Sequence, residues 1–258
     1  MKILIDTDIG GDVDDAVALA LAIKSKELDI IGISLVYIAN QWRAGILQNM
    51  LQVYNREDIP YVIGAEKPLI GTWGDNPNLE NNRAAEFIIK ICDENPDAVL
   101  VPIGPLTNIA AAFLAAPRIA IHRKIMLMGG TWGEQRAEWN IQCDPEAADI
   151  VINSGADISM VGLNVTELCQ FTQEEVDMFK TGLLNEMIHK FILDYKYLPI
   201  LHDPLAVAGL IWNDLIVFEE KNIAINPSGI LINGKTAVNI AVSVNHKLFK
   251  KRLIERIC

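Results

Sequence analysis

Lys2-Ile-Leu-Ile-Asp6-Thr-Asp8-Ile-Gly-Gly-Asp12-Val-Asp14-Asp15-Ala16 stands at the start of the chain and contains its strongest structural signal. The apolar residues 3–5 predict a short buried strand, and the run Ala16-Val-Ala-Leu-Ala-Leu-Ala-Ile23 predicts a helix packed against a sheet. A buried strand that passes through one short turn into such a helix is typical of parallel sheets. We therefore expect an α/β fold.

Five aspartates stand in the turn between this strand and this helix. Capping and the helix macrodipole explain one or two acids at a helix start, but five negative charges repel one another unless a cation lies among them. Asp6 and Asp8 share one face of the strand, and the two glycines that follow allow a tight turn that brings Asp14 and Asp15 back towards that face. The segment predicts a site for a hard divalent cation, with helix capping as the simpler alternative.

The rest of the chain continues the alternation of β-rich runs and helical patterns. Strands are predicted at residues 2–6, 29–36, 98–103, 124–128 and 157–161, and helices at 14–26, 42–55, 81–93, 106–115 and 145–153. The last third is less regular, with helical stretches at 173–195 and 204–212 and strand-like runs at 217–225 and 237–242. This pattern predicts an open, mainly parallel central sheet flanked by helices, a Rossmann-like arrangement. A chain of 258 residues with 51% hydrophobic content is most simply one domain, residues 1–258.

Charge and cysteine usage argue against several kinds of partner and site. A net charge of −11 and a sequence pI near 4.8 disfavour nucleic acid and anionic membrane as partners. The local exception is a basic cluster, interpreted as the solvent face of a last helix: Lys247, Lys250, Lys251, Arg252 and Arg256. The cysteines have no CxxC spacing, so neither a zinc site nor a disulfide framework is indicated. No signal peptide or membrane span is predicted, and we expect a reducing cytoplasm.

Polar residues follow the predicted strands at the edge of the sheet where ligands of parallel sheets bind. Asn40 is the polar candidate after the second strand, and segments 103–108, 128–132 and 164–166 follow the next three. Ordinary strand-to-helix turns contain the same residue types, so each segment alone has a purely structural explanation. In segments 138–148 and 201–206 acids stand at predicted helix starts, where capping is again the simpler interpretation.

Together these segments resemble the inosine-uridine preferring nucleoside hydrolase family over most of the chain. The residues that carry the resemblance are Asp6-Thr-Asp8 with Asp14-Asp15-Ala16, Asn40-Gln41, Gly104-Pro-Leu-Thr-Asn108, Met128-Gly129-Gly130, Glu138-Trp-Asn140 with Asp144-Pro-Glu-Ala-Ala148, and His202-Asp203-Pro204. Each is a weak signal alone, but their number and order argue against a chance similarity. The resemblance implies the open sheet of nucleoside hydrolases, a small-molecule nucleoside as substrate, and a homo-oligomer, either a dimer or a tetramer.

The resemblance also implies a calcium ion (Ca²⁺) at the bottom of a pocket, in agreement with the crowded aspartates. Calcium accepts a mixed shell of oxygen ligands, whereas zinc prefers nitrogen or sulfur and magnesium a stricter octahedron. By similarity, the metal ligands are the carboxylates of Asp8, Asp15 and Asp203 and the backbone carbonyl of Ile103. By similarity, the substrate-binding residues are Asp14, Asn40 and Asn140 at the ribose 2′ and 3′ hydroxyls and Glu138 at the 5′ end.

The implied reaction is hydrolysis of the N-glycosidic bond of a ribonucleoside, giving free base and ribose. Because the transition state resembles an oxocarbenium ion, carboxylates around the sugar stabilise its developing charge. By family position, Asp8 takes a proton from the attacking water, and His202 is the candidate acid for the departing base.

Several departures from the family pattern concern the pocket. Between Asp8 and Asp14 the chain has two residues more than the commonest family spacing, so Asp12 could replace or supplement a neighbour at the ion. The usual His-Gly pair is missing, with residues 72–79 in its place, and segments 133–137 and 171–201 are short, which favours a more open pocket. Five aromatic residues are candidates for stacking on a base, although packing is their commoner role: Trp73, Trp132, Trp139, Tyr195 and Tyr197.

Two other classes of function remain open from the sequence. A ribose- or nucleoside-binding regulatory protein would keep the calcium pocket but show little turnover. A phosphatase of the haloacid dehalogenase type would use Asp6-Thr-Asp8 as its Asp-x-Asp start, but the expected Thr or Val two residues after Asp8 is absent, and this class requires magnesium.

Overall fold

Strands and helices alternate along the chain, as the sequence pattern predicts. The structure, a computed structural model, describes residues 1–38, 40–69 and 82–258, and of Asn40 only the backbone. Within these ranges the strands are β1 (Lys2–Thr7), β2 (Asp29–Leu35), β3 (Tyr61–Ile63), β4 (Val99–Pro102), β5 (Lys124–Met128), β6 (Asp157–Val161), β7 (Ile216–Ile225), β8 (Leu231–Asn233) and β9 (Thr236–Val244). The α-helices of the same ranges are α1 (Asp14–Lys24), α2 (Asn40–Val53), α3 (Arg83–Glu94), α4 (Thr107–Ala115), α5 (Trp139–Cys143), α6 (Pro145–Ile152), α7 (Leu163–Thr166), α8 (Gln173–Val176), α9 (Leu183–Tyr195), α10 (His202–Ile211) and α11 (His246–Ile257).

The strands form one sheet in the order β3-β2-β1-β4-β5-β6-β9-β7-β8. All neighbours from β3 to β9 pair in parallel, whereas β7 runs antiparallel to β8 and β9. The chain first builds outward from β1 through β2 to β3, and then returns to the other side of β1 with β4. Such a reversal opens a crevice at the carboxyl ends of β1 and β4, where ligands of open α/β sheets bind.

Apolar side chains cover both faces of the sheet. In β1, Ile3 and Ile5 pack in one core with α1, α2, α9, α10 and α11, whereas Leu4 packs in the other core with α3, α4 and α6. This alternation follows from the two-residue period of a strand. The predicted open, mainly parallel sheet flanked by helices is therefore confirmed.

Two parts of the secondary structure differ from the prediction. The helical stretch predicted at residues 173–195 is interrupted between α8 and α9, where Gly182 takes a φ of +93°, a left-handed conformation that does not continue an α-helix. The short elements β3, β8, α5 and α7 were not predicted, because three to five residues carry too little periodicity to be recognised. Part of the predicted helix at 81–93 lies outside the described residues, since the structure describes this region from Asn82 onward.

The basic cluster near the carboxyl terminus is not wholly a solvent face. Lys250 is buried, and its ammonium group donates to the Gln170 carbonyl and to Glu175 Oε2, both at 2.8 Å. The prediction was wrong for this residue because a buried lysine with two oxygen partners looks like a surface lysine in sequence. Among the described residues, none of the helices combines the length and apolarity needed to cross a membrane.

Candidate active site

A cavity of about 600 Å³ lies beyond the carboxyl ends of β1, β4 and β5. Eight of the nine residues predicted for the site line it: Asp8, Asp14, Asp15, Ile103, Glu138, Asn140, His202 and Asp203. The ninth, Asn40, is the first residue of α2, and its side chain lies outside the described residues. Residues distant in the sequence thus meet at the switch point of the sheet.

Three buried carboxylates form the centre of this cavity. Asp14 and Asp15 occupy the first turn of α1, and Asp203 occupies the first turn of α10. Their carboxylate oxygens lie within 4.8 Å of one another. The Asp203 backbone N–H donates to Asp14 Oδ2 at 3.2 Å, and the Thr7 hydroxyl donates to Asp15 Oδ1. The two helix N-termini therefore hold three acids at one point.

Electrostatics in this trio of carboxylates favour a bound cation. Burial raises the pKa of Asp14 to about 7, and Asp8 adds repulsion. Burial and the neighbouring acids raise the pKa values of Asp15 and Asp203 well above the ordinary aspartate range. A divalent cation would remove this repulsion, and an all-oxygen donor set matches calcium. The residues present therefore fit a calcium ion.

Asp8 lies on the same cavity but outside the trio, as judged over the described residues. It follows β1 and approaches Gly104 so closely that a Cβ atom there would lie 2.8 Å from Asp8 Oδ1. Burial raises the pKa of Asp8 to about 6, against an opposing effect of the Arg43 guanidinium. The raised pKa makes this carboxylate more basic than an exposed aspartate.

Asn140 and Glu138 form the wall beside β4 and β5. Asn140 Nδ2 donates to the Ile103 carbonyl at 3.3 Å and to the Met128 carbonyl at 3.4 Å. The Glu138 carboxylate caps α5, accepting the backbone N–H groups of Asn140 and Ile141 at 2.8 and 3.1 Å, and it also accepts that of Gly130 at 3.0 Å. Burial still raises the pKa of Glu138 to about 7. Both side chains are thus held rigidly against the cavity.

Asp144, by contrast, has the structural role that the sequence indicated. Its Oδ1 accepts the backbone N–H of Ala147 and so caps α6, and its Oδ2 accepts the Thr107 hydroxyl at 2.6 Å and the Leu69 backbone N–H at 2.7 Å.

His202 and Asp12 lie on the cavity together. Burial lowers the pKa of His202, whereas the charges of Asp12 and Glu167 act in the opposite direction. Burial and the Asp14 charge raise the pKa of Asp12 to about 7. Asp12 does not belong to the trio of carboxylates found among the described residues, so a role for it at the ion stays a prediction.

Arg43 is a cavity residue that the sequence reasoning missed. It is buried, and its guanidinium donates to the Ile9 carbonyl at 3.0 Å and to the Ile38 carbonyl at 2.8 Å. Its charge partly offsets the acids by lowering the pKa values of Asp8 and Asp15. The available signal was its position on α2, since residues 43, 44, 47 and 50 are the buried face of that helix.

The aromatic candidates separate into two groups. Trp139, Tyr195 and Tyr197 line the cavity, and the Tyr195 hydroxyl donates to the Gly11 carbonyl at 3.4 Å. Trp132 instead packs against the core cluster that contains residues of α3, α4 and α6. Trp73 and the whole segment 72–79 lie outside the described residues.

The chain is similar to several known proteins over almost its whole length. The family model described as inosine-uridine preferring nucleoside hydrolase matches residues 3–251. Pyrimidine-specific ribonucleoside hydrolase RihA of Escherichia coli (strain SMS-3-5 / SECEC) is 33% identical over 280 residues, covering 93% of this chain and 88% of the relative. Among solved structures, the purine-preferring ribonucleoside hydrolase from Gardnerella vaginalis has a TM-score of 0.88 at 28% identity, covering 100% of this chain and 98% of that one. The plant nucleoside hydrolase PpNRh1 has a TM-score of 0.85 at 27% identity, covering 99% and 98%.

Proposed function

The chain belongs to the inosine-uridine preferring nucleoside hydrolase family and is an N-glycosidase, and from this premise we propose that it is a calcium-dependent ribonucleoside hydrolase. The observation that carries the proposal is the cavity in which Asp8, Asp14, Asp15 and Asp203 meet. Six acids line this cavity when Asp12 and Glu138 are included, so it suits a cation and a neutral sugar better than a phosphorylated substrate. This charge pattern disfavours the phosphatase alternative.

The ion would be held by the carboxylates of Asp8, Asp15 and Asp203 and by the carbonyl of Ile103. When bound, calcium would hold the ribose diol and orient and acidify one water. Asp14, Asn40 and Asn140 would bind the 2′ and 3′ hydroxyls, and Glu138 the 5′ end. Asn140 donates to the Ile103 carbonyl, so the side chain proposed to bind the ribose also contacts a proposed metal ligand.

Asp8 would act as the general base. As the water oxygen bonds to C1′ of the ribose, one water O–H bond breaks and its proton moves to the Asp8 carboxylate. The C1′–N bond breaks at the same stage, and its electron pair leaves with the base. Ionised carboxylates around the ring stabilise the positive charge that develops on the sugar.

His202 would act as the general acid on the leaving group. A proton from its ring moves to the departing base, which leaves as the neutral molecule. Burial lowers the pKa of His202 overall, and the charges of Asp12 and Glu167 offset part of this effect in favour of the protonated ring.

A nucleoside panel tests the proposed function directly. Purine and pyrimidine ribonucleosides would be assayed for release of reducing sugar, with calcium and with excess chelator. We expect release of ribose from at least one nucleoside in calcium and its loss in chelator. The panel must contain both base classes because the names of the relatives differ in base preference. Tight ribose binding with no release of base would instead support the regulatory alternative, and release that survives complete removal of metal would reject the calcium requirement.

Replacing His202 by alanine should slow natural nucleosides far more than an activated riboside. A positioned acid contributes roughly 10²–10⁴-fold to rate, and 4-nitrophenyl riboside needs little of this help because its leaving group departs as a stable anion. Steady-state kcat on the best natural nucleoside and on 4-nitrophenyl riboside would be compared. The matched control is His189→Ala, which removes an exposed histidine of α9. Equal slowing of both substrates would rule out the acid role.

A further inference from the structure

We propose that Thr166 is a positioning residue that holds the His202 ring so that its Nε2 atom delivers the proton to the departing base. The proposal rests on the proposed function, specifically on His202 as the acid. In the sequence, segment 164–166 is a polar turn after the fifth predicted strand. The structure connects its last residue to the catalytic cavity.

The contact itself is short and buried. Thr166 Oγ1 lies 2.7 Å from His202 Nδ1, and the Thr166 side chain is fully buried. His202 is half-buried and lines the cavity. A hydroxyl at this distance forms a true hydrogen bond with the ring nitrogen. Because Nδ1 is thereby engaged away from the cavity, Nε2 is the ring nitrogen left to meet a ligand.

Thr166 is itself anchored. It ends α7, where its backbone N–H donates to the Gly162 carbonyl at 3.1 Å. Asn164, in the same helix, ties that turn to the sheet by donating from Nδ2 to the Ala241 carbonyl of β9 at 2.7 Å. The hydroxyl therefore belongs to a turn fixed by main-chain and sheet contacts, which limits the rotation it allows the imidazole ring.

A hydroxyl suits both states of the acid. In the protonated ring, Nδ1–H donates to Thr166 Oγ1 while Nε2–H faces the cavity. On transfer, the Nε2–H bond breaks, an N–H bond forms on the base, and the electron pair of the broken C1′–N bond stays with the base. The neutral ring keeps Nδ1–H and its bond to Thr166, so no tautomer exchange is needed. Solvent then reprotonates Nε2.

A purely structural role makes a different prediction. A buried threonine hydroxyl with one partner contributes on the order of 1 kcal/mol to folding, so its loss lowers stability in any background. A positioning role acts only through His202, and it vanishes when that histidine is absent. A double-mutant cycle separates the two because coupled residues give a non-additive effect.

The experiment compares wild type, Thr166→Val, His202→Ala and the double variant on the best natural nucleoside and on 4-nitrophenyl riboside. Valine keeps the shape of threonine and removes the hydroxyl. We expect Thr166→Val to lower kcat about tenfold on the nucleoside, a part of the whole acid contribution, and to leave KM and 4-nitrophenyl riboside cleavage within about twofold. In the His202→Ala background the same change should have no further effect on kcat. Thr166→Ser, which keeps the hydroxyl, should retain most of the activity.

The matched control is Thr131→Val. Thr131 is also fully buried, and within the described residues its hydroxyl has no hydrogen-bond partner. The Thr131→Val substitution should leave kcat unchanged. Two outcomes would overturn the role of Thr166 while leaving the proposed function intact. In the first, Thr166→Val lowers kcat equally with and without His202. In the second, Thr166→Val does not lower kcat although His202→Ala does. If His202→Ala itself changes nothing, the acid assignment fails and the Thr166 proposal fails with it.

Discussion

Replacing Asp8 by asparagine should lower kcat by roughly 10²–10⁴-fold, because the amide cannot accept a proton from the attacking water. The substitution keeps the size of the side chain, so the close approach to Gly104 should be preserved. Burial raises the pKa of Asp8 to about 6, which makes this carboxylate a stronger base than an exposed aspartate. The measurement is steady-state kcat at saturating nucleoside and calcium.

Two further readouts separate loss of the base from loss of the fold or of the metal. Thermal unfolding of the Asp8→Asn protein should remain cooperative, and calorimetric titration with calcium should show how much of the effect arises from weaker binding of the ion. The matched control is Asp97→Asn, an exposed aspartate in the turn before β4. Near-normal base release by Asp8→Asn, with calcium bound, would refute the assigned base.

The second large effect is expected on stability when calcium is removed. Burial raises the pKa values of Asp12 and Asp14 to about 7, and those of Asp15 and Asp203 rise well above the ordinary range. An acid with a raised folded-state pKa binds its proton more tightly in the folded than in the unfolded chain. Its stabilising contribution is therefore complete below the ordinary aspartate pKa and is lost as the pH rises through the folded-state value. The chelated protein should accordingly have a lower Tm at pH 8 than at pH 5.

Calcium should reverse this loss, because the ion replaces the protons as the counter-charge of the carboxylates. A ligand at a hundred times its Kd stabilises the folded state by about 2.7 kcal/mol. Differential scanning calorimetry at pH 5 and pH 8, with calcium and with chelator, measures the effect. A Tm that does not respond to calcium at pH 8 would contradict a metal site in this cavity.

The Asp15→Asn variant tests the same repulsion between carboxylates by substitution. The substitution removes one of three mutually repelling carboxylates, so the chelated variant should melt at a higher temperature than chelated wild type at pH 8. Calcium should then raise its Tm little, and titration calorimetry should detect weak binding or none. Asp97→Asn is again the control and should behave as wild type. A calcium response equal to that of wild type would remove Asp15 from the ligand set.

Local sequence patterns determined much of this protein. Short runs rich in apolar residues, with turn residues on either side, located β5 and β6 at residues 124–128 and 157–161 as predicted, because burial on both faces of a strand leaves a recognisable run. The alternation of β-rich runs and helical patterns predicted the parallel sheet, and the polar residues after the strands indicated which edge of the sheet would bind a ligand. The family resemblance and the acids of the first turn were likewise present in the sequence itself. These features could be predicted because each depends on residues that are close together in the sequence.

Only the tertiary structure decided the direct contacts between distant groups. Asp14 and Asp203 are 189 residues apart, and their hydrogen bond exists because α1 and α10 pack on the same face of the sheet. Tertiary packing likewise brings Thr166 to His202 and places Arg43 on the same cavity as the acids. No local pattern specifies such a contact, since it is set by how whole helices lie against a sheet and by the burial that shifts each pKa. The sequence determined the chemical groups of the site, and the fold determined their distances and their charges.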